Sequence, residues 1–217
     1  MGAQKKENLA APTAGRRCAV IGLMGGIGSG KTTVARMLSE SGAKLVDADA
    51  ISAELRKTPE IRQAIRDRWG DAVFDANREL DRSKLAAIVF NDPQELAALE
   101  EIMHPRVVEQ IEREVVACRA GDGPATCAID APLLLESGLA RLCDATIFVE
   151  CDRGTRARRL IGSRGWAPAE IERREAHQQP LTRKREMADF VVVNDGDLAA
   201  SRKQIERIIA QIKHSGV

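Results

Sequence analysis

Apolar residues along the chain fall into two periods. Cys18 to Met24 is apolar at nearly every position, and Ala125 to Asp130, Asp144 to Cys151 and Ala188 to Asn194 are apolar at most of theirs. Lys44-Leu45-Val46 adds a shorter run. Short runs without polar alternation fit strands covered on both faces, as in a parallel sheet between helices. Helical spacing separates them, at Val34, Ala35, Met37 and Leu38, at Val107, Val108, Ile111, Val115 and Val116, and at Leu198, Ile205, Ile208, Ile209 and Ile212. The pattern predicts an α/β domain over 18–217, a five-stranded parallel sheet covered by helices. The first run is its central strand, and a last helix over Asp197 to Ile212 packs its five apolar residues on the sheet.

Between the second and third strands the chain reads as helical. Ala53 to Trp69 breaks at Thr58-Pro59, and Gly70 to Leu80 is a polar connection. Asp81-Arg82-Ser83 opens a helix through Phe90, and Pro93 suits the first turn of another. His104-Pro105 predicts an interruption, after which the apolar face resumes to Cys118. This excursion, about 71–120, has the character of an insertion, while residues 1–17 are polar and read as a flexible tail.

Candidate chemistry begins where the first strand ends. Gly25-Gly26-Ile27-Gly28-Ser29-Gly30-Lys31-Thr32 completes G-x-x-x-x-G-K-[ST] between a predicted strand and a predicted helix, the context that separates a phosphate loop from an incidental glycine-rich turn. The expected fold is therefore that of a P-loop NTPase. Gly26 to Thr33 is the expected nucleotide-binding stretch: Gly26, Ile27, Gly28, Ser29 and Gly30 supply the loop, Lys31 reaches the β- and γ-phosphates, and Thr32 with Thr33 opens the helix. The Thr32 hydroxyl suits Mg²⁺.

Asp47 and Asp49 follow the second strand, where open α/β sheets place their chemistry, and share a side if the chain stays extended. Asp49 is a candidate base; the competing role is N-cap of a helix starting near Ile51. Asp130 ends the third strand, either as a carboxylate of the metal shell or as a turn residue. Glu136 either faces the site or begins the next helix.

Charge changes the picture only locally. Lys plus Arg number 33 against 32 Asp plus Glu, so the whole chain has no general pull towards nucleic acid or an anionic membrane. Six aromatic residues, Trp69, Phe74, Phe90, Phe148, Trp166 and Phe190, offer little surface for stacking bases. Arg153 to Arg185, however, carries ten basic residues and three glutamates. That excess predicts a lid, about 153–182, in which one or two arginines clamp phosphates and the rest form solvated faces. Five cysteines, odd in number and without a C-x-x-C pair, read as reduced packing residues of a cytoplasmic protein. No apolar run approaches the ~20 residues of a membrane span.

Missing motifs narrow the reaction. No [NT]-K-x-D element occurs, Asp67-Arg68-Trp69-Gly70 lies in a helical stretch, and Ala131 rather than Glu follows Asp130. A guanine switch and an ATP-driven machine are thereby disfavoured, and an acid after the second strand points to phosphoryl transfer. The sequence resembles the dephospho-CoA kinase family in Ile21 to Thr32, D-A-D at Asp47 to Asp49, M-H-P at Met103 to Pro105 and D-A-P-L-L-L-E at Asp130 to Glu136. The likeness continues in R-x-x-x-Q-x-P-L at Arg174 to Leu181, Lys184-Arg185, Ala188-Asp189 and N-D-G at Asn194 to Gly196.

The resemblance implies ATP-dependent phosphorylation of the ribose 3′-hydroxyl of 3′-dephospho-CoA, the last step of coenzyme A synthesis. By it Asp49 is the base, Lys31 and Thr32 serve phosphates and Mg²⁺, Asp130 joins the metal shell, and Arg174 is the lid cation. It further implies Asn194 and Gly196 near adenine, and Asp47, His104, Pro132 and Leu133 beside the acceptor. The expected partner is that small molecule, not nucleic acid or membrane, and the expected state is a monomer or weak oligomer. Two departures stand out: Leu135 replaces a frequent Phe, and Glu175 replaces Ile after the lid arginine. Glu175 leaves Arg173 or Arg174 open as the lid cation, with Arg164 a third candidate. Another nucleoside monophosphate or small-molecule kinase on this core is the alternative enzyme, and a nucleotide-dependent regulator with a nucleic-acid-binding lid is the alternative class.

Overall fold

The computed structural model describes residues 18–120, 124–176 and 178–214. Strand β1, Ala19–Gly25, is buried at every position because it lies at the centre of the sheet. The others are β2 Lys44–Asp47, β3 Thr126–Asp130, β4 Ala145–Glu150 and β5 Phe190–Val193, all parallel, in the order β2-β3-β1-β4-β5. The expected five-stranded parallel sheet is thus observed, and the ends of β1 and β3 lie side by side with Leu23 in register with Asp130.

Side chains alternate along β1 to serve two cores. Ala19, Ile21 and Leu23 pack with helix α1, Lys31–Glu40, through Val34, Ala35 and Leu38, and with helix α9, Leu198–His214, through Ile205, Ile208 and Ile212. Leu198 departs from expectation: at the first position of α9 it is 50% exposed instead of packing on the sheet. Val20 and Met24 face the second core, which takes Ile51 from helix α2, Ala48–Leu55, and Ile111, Val115 and Cys118 from helix α5, Pro93–Ala120.

A third, smaller core lies within the helical excursion. Helix α3, Pro59–Trp69, contributes Ile61 and Ile65, helix α4, Arg82–Val89, contributes Leu85 and Val89, and α5 contributes Met103. Thr58 caps α3, accepting from the Ile61 N–H, and so produces the expected break before Pro59. The break expected at His104-Pro105 does not occur, since α5 runs 28 residues with Pro105 inside it. Proline deprives the helix of one donor, a penalty of about 3 kcal/mol. Apolar anchoring on both sides opposes it, with Met103 in the small core, Ile111 and Val115 in the sheet core, and Val107 against both.

The later helices are α6 Arg153–Arg164, α7 Pro168–Glu175 and α8 Leu181–Glu186. Glu136 begins no α-helix; turns cover its segment until a 3-10 turn at Leu139–Leu142. All five cysteines are free. Among the described residues no helix is long and apolar enough to cross a membrane.

Gly22 stands at the middle of β1, where a Cβ would lie 2.6 Å from Cys143 Sγ and 2.7 Å from Leu134 Cδ2. Gly22→Ala is therefore expected to destabilise the fold by roughly 1–3 kcal/mol through overpacking. Adding Cys143→Ala should restore part of the loss, and urea unfolding of the single and double variants measures both effects.

Candidate active site

The turn after β1 is built around glycines that accept conformations other residues resist. Gly28 and Gly30 have φ of 76° and 90°, and a Cβ at Gly30 would lie 2.2 Å from Asn194 Nδ2. No side chain caps α1 at Gly30, so the positive end of the helix opens on the loop.

The loop is held from outside by donors. Lys31 Nζ donates to Gly25 O at 3.0 Å and Gly26 O at 3.2 Å, and Arg156 Nη1 donates to Ile27 O at 3.2 Å. Ser29 O accepts from Asn194 Nδ2 at 2.8 Å and Arg159 Nη1 at 3.3 Å, while Arg159 Nη2 reaches Asn194 O at 2.9 Å. Asn194 is buried, and its Oδ1 accepts from Ser201 Oγ at 3.3 Å. Its carboxamide thus braces the loop from the end of β5. Asn194 and Gly196 do not line the cleft described below, nor do Gly26, Ser29 and Thr33.

Burial lowers the Lys31 ammonium to about 8, reinforced by Lys184 and Arg156 and opposed by Asp130 and Asp49. Asp130 is also buried, and burial raises its pKa against the pull of Lys31 and of the Thr32 hydroxyl. Thr32 Oγ1 donates to Asp130 Oδ2 at 3.3 Å. These two hard oxygen donors at the ends of adjacent elements fit a magnesium shell completed by water and phosphate.

The two acids after β2 separate because α2 begins immediately, at Ala48. Asp47 is the N-cap: its Oδ1 accepts from the N–H groups of Asp49 at 2.8 Å and Ala50 at 3.0 Å. The capping role open to Asp49 belongs to Asp47, and the extended geometry that would align the two is absent. Asp49, in the first turn of α2, is exposed at the cleft.

That cleft has two lobes. One, of about 610 Å³, is lined by Gly28, Gly30, Lys31, Thr32 and Asp130 with Arg164 of α6 and Arg173 and Arg174 of α7. The other, of about 410 Å³, is largely apolar, with Met103, Val107, Val108 and Leu139 beside His104. Asp49, Glu100, Pro132 and Leu133 border both. The structure therefore gathers Asp49, His104, Pro132 and Leu133, and leaves Asp47 outside both lobes.

On α7, Arg174 Nε pairs with Glu170 Oε1 at 2.5 Å, and its guanidinium lies 4.2 Å from the Trp166 ring centre and 5.4 Å from that of Phe90. Arg173 pairs with Glu170 Oε2, and Arg164 stacks on Trp166 at 4.8 Å. Glu175 pairs with neither Arg173 nor Arg174 but with buried Arg156. Sequence reading missed Arg156 and Arg159 as loop braces and Trp166 and Glu170 as supports of Arg174. The spacing of Arg156 and Arg159, three apart on one helix, was the only signal that those two share a face.

Residues 19–200 match the family described as dephospho-CoA kinase. The dephospho-CoA kinase of Chlorobaculum tepidum is 40% identical over 194 residues, 87% of this chain and 92% of that protein. That of Symbiobacterium thermophilum is 42% identical over 189 residues, 86% of this chain and 78% of the relative. A crystal structure from Thermus thermophilus superposes with a TM-score of 0.74 at 32% identity, covering 90% of this chain and 98% of the other. The chain belongs to the dephospho-CoA kinase family.

Proposed function

We propose that this protein transfers the γ-phosphoryl group of ATP to the ribose 3′-hydroxyl of 3′-dephospho-CoA, giving CoA and ADP. The observation that carries the reading is the place of Asp49, on the wall shared by a lobe of phosphate-binding groups and an apolar lobe. A nucleotide in the first lobe and an acceptor in the second would meet at that carboxylate.

The N–H groups of Gly28 and Gly30 and the Lys31 ammonium hold the transferring phosphates. Thr32 and Asp130 would hold Mg²⁺, which supplies neutralisation of phosphate charge when bound. Arg174, fixed by Glu170 and the Trp166 face, directs its remaining N–H groups to the phosphoryl oxygens. Asp49 orients the 3′-hydroxyl and accepts its proton as the new O–P bond forms and the bond to the ADP oxygen breaks. Met103, Val107 and Val108 receive the apolar parts of the acceptor, with His104 at their edge.

Asp49→Asn keeps the size of the side chain and removes its basicity, so kcat is expected to fall by roughly 100-fold or more with ATP affinity nearly unchanged. Coupled ADP release with dephospho-CoA, AMP and shikimate as acceptors tests the reaction; turnover with AMP alone would replace the proposed acceptor.

Lys31 gives a pH signature. Its depressed pKa means that the free protein loses this positive charge as pH rises through about 8. Phosphate binding favours the protonated form, so ATP affinity is expected to fall by up to about tenfold per unit above that pH. Lys31→Arg, always charged, should flatten the profile measured by titration calorimetry.

A further inference from the structure

Lys184 heads the large side chains with almost no exposure, at 2%, and the transfer step above makes no use of it. It lies on α8, against β1, with Nζ 3.1 Å from Glu136 Oε1 and donating to Gln178 Oε1 at 3.3 Å. The same Glu136 oxygen accepts the Gln179 N–H at 2.7 Å. Burial raises the Glu136 carboxyl, but N–H groups of Gln179 and its own backbone, with Lys184, hold it below the usual carboxylate range. Glu136 follows Pro132 and Leu133 on the segment that borders both lobes, and Gln178 follows α7. The pair therefore ties the acceptor side of the cleft to the lid's return.

A buried ion pair adds little net stability, because desolvation offsets most of the attraction. What this pair does fix is orientation. An ammonium only donates, so the Gln178 carboxamide must turn its oxygen to Lys184. Its NH₂ group is then left for the wall that Gln178 forms with Lys31, Asp130 and Arg174.

We propose that Gln178 is a ligand-contacting residue whose NH₂ group donates to a phosphate oxygen in the cleft, with Lys184 and Glu136 as positioning residues that fix the sense of its carboxamide. This rests on the reading of the cleft as a phosphoryl-transfer site. A neutral donor there adds hydrogen bonds to an anion without another charge beside Lys31 and the lid arginines.

With ATP and dephospho-CoA, Gln178→Ala is expected to lower kcat/KM by about tenfold to a hundredfold, the loss for a hydrogen bond to a charged group. Gln178→Glu should lower it further by presenting a carboxylate to phosphate, and both should unfold at the parent's midpoint. A rise in the KM of ATP alone assigns the contact to the nucleotide, a rise in that of the acceptor alone assigns it to the acceptor's phosphates, and a fall in kcat assigns it to the transferring group. Lys184→Met with Glu136→Gln, which leaves no lone buried charge, should reproduce the Gln178→Ala loss and add nothing to it. Full additivity would remove the positioning role. Retention of kcat and both KM values within about twofold in both Gln178 variants, or a loss that follows a lowered unfolding midpoint, would overturn the proposal. If the unaltered chain fails to phosphorylate dephospho-CoA, the functional reading is at fault; ATP affinities of the same variants then decide, and equal values throughout overturn the role of Gln178.

Discussion

An anion cradle made of backbone has to turn its N–H groups inward, and its carbonyls then point outward into protein. Buried carbonyls need donors. Here Lys31 serves Gly25 and Gly26, Arg156 serves Ile27, and Asn194 with Arg159 serves Ser29. The donors come from α1, from α6 and from the end of β5, so the shape of the loop depends on the sheet being complete out to its edge. Arg156 divides its hydrogen bonds between this scaffold and Glu175, and Arg159 both braces the loop and lines the cleft beside Arg164, Arg173 and Arg174.

A second constraint is the position of one helix start. Because α2 begins at Ala48, Asp47 is committed to its first N–H groups, an interaction of about 1 kcal/mol for such caps. Asp49, two residues on, points to the cleft from a rigid first turn. A start two residues later, at Ala50, would make Asp49 the cap instead. The same economy of backbone donors governs Glu136, which holds the chain at Gln179 instead of opening a helix.

The two-lobed cleft follows from the reach of α5. Its first half packs Met103 into the small helical core, and its second half packs Ile111 and Val115 onto the sheet. His104 lies between, beside the apolar lobe. Had the helix broken at Pro105, the small core would have lost its rigid link to the sheet and the second lobe its long wall. Apolar contacts far apart in sequence outweigh that local preference.

Period and motif in the chain were enough for the strands, the central place of β1, the phosphate loop and the acids at the strand ends, because these depend on neighbours within a few residues. The glycines of the loop, the apolar run before it and the helical spacing after it determine one local geometry together. Which acid caps and which faces the cleft, which arginines brace the loop, and where Glu175 finds its partner were decided only by the tertiary structure. Those outcomes depend on donors and acceptors brought together from distant segments, as Ser29 is with Asn194 and Glu136 with Lys184. A run of like charges has no preferred partner until folding sets the distances and removes the water.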